Sequence, residues 1–267
     1  MTLVDVVKKH HLTVIENDHA IGTIVFIHGF GTDQTSWEQV SAAFASRYRM
    51  VLFDTVGGGN ANPKSFSPNK YDSLHSYADD LLDICNVLGL RNAIVIAHSV
   101  GCMISLLAAI KEPEHFSKMV WVAASPRYLN DLDYIGGFDQ ESLDALYRSM
   151  STNYYAWVSG FSAAAMRNED RPGLSENFAQ TLSAIRPDIA QSVARVIFQS
   201  DHLKSLPELE KRILLIQSKE DMAVPAEVAQ YLHQHVKGST LVEVDAYGHL
   251  PHISAPEAII AAVESFI

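Results

Sequence analysis

Cysteine is nearly absent: the chain of 267 residues holds only Cys85 and Cys102. Both sit in apolar helical patterns and read as reduced, buried thiols of a cytoplasmic protein, not as a disulfide framework or a metal site. Long apolar runs are missing as well. The longest, such as Ala93–Ala97 and Met119–Ala124, fall far short of the roughly 20 residues a membrane span needs, so no membrane contact is expected. Asp5, Lys8 and Lys9 interrupt the first residues, and no signal peptide is expected. No Lys/Arg cluster exceeds Lys8-Lys9 or Lys211-Arg212, and 20 Lys+Arg stand against 31 Asp+Glu, for a formal charge of −11. A phosphate-tracking protein needs a basic stripe, so nucleic acid is excluded as a partner. Internal repeats and low-complexity stretches are absent too.

What is present is ordinary globular composition, with 48% apolar and 19% charged residues. The length suits one large α/β domain, or one with an inserted cap. Near-continuous apolar runs recur at Thr23–Ile27, Met50–Phe53, Ala93–Ala97, Met119–Ala123, Ile213–Gln217 and Leu241–Val244. Such runs mark strands buried on both faces. Residues near Val14 add a candidate antiparallel edge. Between the runs lie helical patterns. Leu74–Leu88 carries Leu74, Tyr77, Ala78, Leu81, Leu82, Cys85 and Leu88 on one stripe. Val100–Ile110 is apolar nearly all round, and Ala226–His235 and Pro256–Phe266 each open near a proline. The alternation predicts a mostly parallel sheet covered on both faces, with right-handed crossovers.

From about Arg127 to Ser205 the rhythm breaks. No buried strand is evident there, and the patterns are helical: Gln140–Met150, Asn153–Ala165, Glu176–Ala184 and Asp188–Gln199. Gly136-Gly137, Pro172-Gly173 and Pro187 read as breakers between them. The expected organisation is a core of residues 1–126 and 206–267, with a helical cap, 127–205, inserted.

The chemistry centres on Ala97-His98-Ser99-Val100-Gly101. A chain this long holds about one S-x-G by chance. Here, however, the serine stands between a buried strand and a buried helix, where a sharp turn would expose its hydroxyl above the sheet. Gly101 suits the crowded turn, and Ala97 is the least damaging replacement for glycine two residues before the serine. A serine hydroxyl needs a base, and the base an orienting acid. Asp221 and His249 both follow strand C-termini, on the rim that carries Ser99. Glu220 and His252 are the competing neighbours. Gly248 favours His249, because glycine lets the loop turn the imidazole inward. After the strand Thr23–Ile27 comes His28-Gly29-Phe30-Gly31. The main-chain N–H groups of Phe30 and Val100 are the expected oxyanion donors.

Two other chemistries fail on spacing. A dinucleotide fold needs G-x-G-x-x-G, but Gly29-Phe30-Gly31 puts Gln34, and Gly57-Gly58-Gly59 puts Asn62, where the third glycine belongs. For a metal, His233 and His235 point apart on a helix, and His249-x-x-His252 lacks a third ligand. No metal and no other cofactor is expected.

Taken together, His28–Gln34, His98–Gly101, Ser125–Asp131, Gly136–Phe138 and Gly248–Pro251 resemble the α/β-hydrolase superfamily. Within it they are similar to the bacterial RsbQ stress-signalling hydrolases and the plant karrikin and strigolactone receptors. The resemblance spans nearly the whole chain. It departs at Ala97 and at Gly57-Gly58-Gly59. It implies an α/β-hydrolase fold with Ser99, Asp221 and His249 as triad, Phe30 and Val100 as oxyanion donors, and a cap of four helices in a V over an apolar pocket. Read without it, Met150, Tyr154, Trp157 and Phe161 share one helix face, and Phe138 and Phe198 add bulk. Such a set above a serine suggests a dry pocket for a small apolar ligand. The resemblance places Phe138, Trp157, Phe161 and Phe198 on its wall. The expected activity is slow hydrolysis of small ester or butenolide-type lactone ligands. Two roles stay open: a metabolic carboxylesterase, or a sensor that signals through a partner protein.

Overall fold

A computed structural model describes residues 2–267. In chain order the elements are α1 (Leu3–His10), β1 (Thr13–Ile15), β2 (Thr23–Ile27), α2 (Glu38–Phe44), β3 (Arg49–Phe53), α3 (Leu74–Val87), β4 (Ala93–His98), α4 (Val100–Lys111), β5 (Phe116–Val122), α5 (Gln140–Thr152), α6 (Tyr154–Met166), α7 (Pro172–Ala184), α8 (Pro187–Phe198), β6 (Arg212–Glu220), α9 (Ala226–His235), β7 (Ser239–Tyr247), α10 (Pro251–Ser254) and α11 (Pro256–Glu264). The apolar runs of the sequence all become strands of one seven-stranded sheet, in the order β1-β3-β2-β4-β5-β6-β7. Only β1 runs antiparallel, with Val14 opposite Val51.

Alternation along the strands splits the core in two. Ile24, Phe26, Met50, Leu52, Ile94 and Ile96 face α2 and α11, where Trp37, Phe44 and Ile259 are fully buried. Val25, Ile27, Val51, Val95 and Ala97 face α3 and α4. Successive side chains of a strand point to opposite faces, so a run apolar at every position needs a cover on each. The stripe of α3 is buried from Leu74 to Cys85, and α4 is buried on nearly every side, as a helix under both sheet and insert must be.

Helices α5 to α8 all fall between β5 and β6. α5 packs on α6 and α8, and α6 on α7. The two chain links of this insert meet at its base. There Arg127 Nη1 lies 2.9 Å from an Asp201 carboxylate oxygen, and the His202 amide donates to Pro126 O at 2.9 Å.

Two local readings need correction. α7 begins at Pro172, earlier than the expected Glu176. Proline fits the first turn, where its missing N–H has no intrahelical role. Gly136-Gly137 lies outside the helices as expected, and both amides donate to Asn130 Oδ1 at 2.9 Å. α1 was not expected at all. It buries Val6, Lys9 and His10 while Leu3, Val4 and Val7 are exposed. Lys9 pairs with the buried Asp80, which also accepts from Tyr71 OH at 2.8 Å. The fully buried Val6 and this ion pair together fix the helix on the core.

Candidate active site

The turn after β4 forces Ser99 to φ 53°, ψ −121°, a conformation that costs a non-glycine residue energy. The Ser99 amide donates to Val122 O at 2.9 Å, so the neighbouring strand holds the turn. Gly101 is required by space. A Cβ there would lie 3.0 Å from Ile27 O and 2.9 Å from Ile27 Cγ2. Ala97, fully buried in β4, fits without strain.

The rim brings the three expected groups together. His249 Nε2 lies 2.9 Å from Ser99 Oγ, and His249 Nδ1 lies 2.7 Å from Asp221 Oδ2. A carboxylate accepts, so Nδ1 carries the proton, and the bare Nε2 accepts from the serine hydroxyl. The second oxygen of Asp221 is also occupied, accepting from the amides of Ala223 at 2.8 Å and Val224 at 3.1 Å. The neighbours point elsewhere. Glu220 is exposed and pairs with Arg167. His252 is fully buried between the rings of Trp37 and His98, with centroids at 4.4 and 4.3 Å.

Gly248 sets the direction of His249. It has φ +90°, and a Cβ would fall 2.2 Å from Met166 O. His249 N–H then donates to Ala165 O at 2.7 Å, which ties its loop to the end of α6. Gly248→Ala is therefore expected to lower the melting temperature by several degrees, since such a change costs about 1–3 kcal/mol or more. It should also lower kcat, by about 100-fold if His249 shifts by about 1 Å. Thermal melts and ester kinetics on one preparation check both effects.

Phe30 and Val100 line one small cavity with Gly29, Thr55, Ile104, Ile185, Val193 and Ile197. Neither amide donates a hydrogen bond among the described residues. The cavity measures about 20 Å³, room for about one water molecule. Neither Ser99 and His249 nor the four aromatics Phe138, Trp157, Phe161 and Phe198 line this cavity. Phe138 and Phe198 pack edge-on around Tyr128, with centroids at 6.4 and 5.0 Å. Trp157 and Phe161 stack on each other at 4.9 Å and line an open groove between α5 and α6, beside Leu146. The small cavity beside Phe30 and Val100 is walled by α8 and α4, because α8 turns its apolar stripe down onto the sheet rim.

Tyr128 is the site residue that sequence reasoning missed. It is buried, and its hydroxyl lies 3.2 Å from Ser99 Oγ. Burial pushes its pKa well up, so it stays a phenol. Because the serine proton is directed to His249, the phenol donates to Oγ. Its place a few residues beyond β5, on the serine's rim, was the available signal.

A strained serine in contact with a histidine–carboxylate pair, on the carboxyl rim of a parallel sheet and beneath a helical insert, defines a hydrolase of the α/β class. Residues 22–256 match the family model for the alpha/beta hydrolase fold. The chain is 45% identical to a probable esterase of Oryza sativa subsp. japonica, over 95% of this chain and 93% of that protein. It is 44% identical to a karrikin insensitive 2 receptor of Petunia hybrida, over 89% and 88%. It is 42% identical to a strigolactone esterase of Arabidopsis thaliana, over 93% and 95%. Among solved structures, a hydrolase from Oleispira antarctica superposes with TM-score 0.95 at 28% identity, over 100% of this chain and 97% of that one. The chain belongs to the alpha/beta hydrolase fold family and is an esterase-like hydrolase.

Proposed function

We propose that this chain is a serine hydrolase of small ester or butenolide-type lactone ligands, slow in turnover and linked to signalling. The alignment of Ser99, His249 and Asp221 at 2.9 and 2.7 Å carries the reading. Ser99 Oγ attacks the acyl carbonyl while His249 Nε2 takes its proton. Asp221 holds the imidazole tautomer and stabilises the imidazolium. The N–H groups of Phe30 and Val100 hold the developing oxyanion. His249 then protonates the leaving alkoxide, and water, deprotonated by His249, releases the acyl group. On this reading residues 127–205 act as the cap, and the two free cysteines suit the cytoplasm.

The ligand class and the signalling role rest on the relatives named as strigolactone esterase and karrikin receptor. One physical observation supports slow turnover. A cavity of about 20 Å³ is far below the roughly 300 Å³ of a ligand pocket. Ile185, Val193 and Ile197 line it beside the oxyanion donors, so an acyl group that enters there needs α8 or its side chains to move. A ligand that prefers the opened arrangement shifts the cap toward it, in proportion to that preference. A signalling partner protein would then read the arrangement.

Turnover on p-nitrophenyl acetate and on a butenolide ester tests the first part. Amide hydrogen exchange across 127–205, with and without a fluorophosphonate adduct, tests the second. Turnover below the enzyme median of about 10 s⁻¹, with changed protection in α8, is the expected result. Fast turnover with unchanged protection makes the chain a plain esterase, and absence of hydrolysis overturns the proposal.

A further inference from the structure

His98 precedes the serine and has no place in the triad. Its ring is buried, 1% exposed, where the three loops of the site meet. Nε2 lies 2.8 Å from the main-chain oxygen of His249. A carbonyl oxygen only accepts, so Nε2 carries the proton and Nδ1 is bare. Nδ1 finds no hydrogen-bond partner among the described residues. It packs on Gly29 of the Phe30 loop, where a Cβ would lie 2.3 Å from it. The ring centroid stands 4.9 Å from that of His249. Burial, with His252 and His249 close by, holds the pKa of His98 well below the usual histidine range. His98 therefore stays neutral when His249 takes the serine proton.

The main chain of His249 is fastened from two sides. Its N–H donates to Ala165 O of the insert at 2.7 Å, and its C=O accepts from His98 of the core at 2.8 Å. We propose that His98 is a positioning residue for the hydrolysis: its Nε2–H fixes the backbone of His249 to the sheet, so that the imidazole keeps its place between Asp221 and Ser99 while the insert moves. The inference rests on the triad reading above. Removal of the donor leaves a buried carbonyl without this partner and leaves the insert as the remaining main-chain anchor of His249.

Three substitutions separate the donor from the bulk. Glutamine places an amide N–H about where histidine Nε2 stands, asparagine stops about where Nδ1 stands, and leucine offers neither. On p-nitrophenyl acetate, His98→Leu and His98→Asn are expected to lower kcat by about 10- to 100-fold with KM within about threefold, as a misplaced catalytic group does. His98→Gln should recover about tenfold of that loss. The proton resonance of His249 Nδ1–H should persist in the glutamine variant and be shifted or lost in the leucine variant. Wild-type kcat and resonance in His98→Leu would overturn the proposal. Equal losses in the glutamine and leucine variants, with native melting temperatures, would overturn it too, leaving packing as the role. Where His98→Leu does not fold, the glutamine–asparagine comparison decides on the same terms. His249→Ala is the reference: full activity there defeats the triad reading itself, which is a separate outcome.

Discussion

Replacing Ser99 by alanine is expected to lower kcat for p-nitrophenyl acetate by at least about 10³-fold, the scale on which a triad member is lost. The strained turn, with Oγ 2.9 Å from His249 Nε2, makes this hydroxyl the one positioned to attack. Alanine keeps the turn's shape and removes only the oxygen, so the melting temperature should stay close to wild type. The orphaned Tyr128 hydroxyl, 3.2 Å from Oγ, should account for any small drop. A fluorophosphonate should label Ser99, as read by peptide mass spectrometry, and should leave the alanine variant unlabelled. Wild-type hydrolysis by the variant, or labelling at another residue, would remove Ser99 from the reaction.

The second large effect separates two buried histidines three residues apart. His249→Ala should lower kcat by about 10³-fold or more, whereas His252→Leu should change it by less than about tenfold. His252 touches neither the serine nor the acid; it fills space between Trp37 and His98 and forms no side-chain hydrogen bond among the described residues. Its effect belongs to stability. Burial, with His249 and His28 nearby, pushes its pKa down to about 3 from the ordinary 6.5. Unfolded, the ring binds a proton below about pH 6.5; folded, it does not until about pH 3. The unfolded state thus binds more protons in that window, and stability, full above it, falls as pH drops through it. His98, displaced in the same direction, adds to the slope. Urea unfolding at about pH 7.5 and about pH 4.5 should show a smaller acid loss in His252→Leu than in wild type. An equal loss would place the acid sensitivity elsewhere, and a reversed order of kcat effects would make His252 the base.

Much of the site was legible because its parts obey local rules. The apolar runs announced the strands, and a serine between a buried strand and a buried helix announced the turn that Gly101 makes sterically feasible. Gly248 singled out His249 over His252 through the same kind of constraint, a position at φ +90° with no room for a Cβ. Chain order and strand ends left Glu220 as a competitor of Asp221, and the family resemblance favoured Asp221. In the structure Asp221 meets His249 at 2.7 Å, while Glu220 turns out to Arg167. The surroundings of the four aromatics were not legible. Phe138, Trp157, Phe161 and Phe198 lie in the insert, and the face expected to join Met150 to Tyr154, Trp157 and Phe161 is split, because Met150 belongs to α5 and the other three to α6. Tyr128 carried no periodicity at all, being in an irregular link.

The sequence by itself determined the parallel sheet, the helical insert between β5 and β6, and the strained serine. Each depends on neighbours within a few residues: alternation, helical spacing, and the room a glycine leaves. Only the tertiary structure decided what meets what. His249 reaches Ser99 across 150 residues of chain, His98 reaches His249 O across 151, and Tyr128 reaches the serine from the start of the insert. The tautomers follow from those partners, and the narrowness of the cavity follows from how α8 lies on the rim. Long-range distances are set by the packing of the whole core, and no local pattern encodes them.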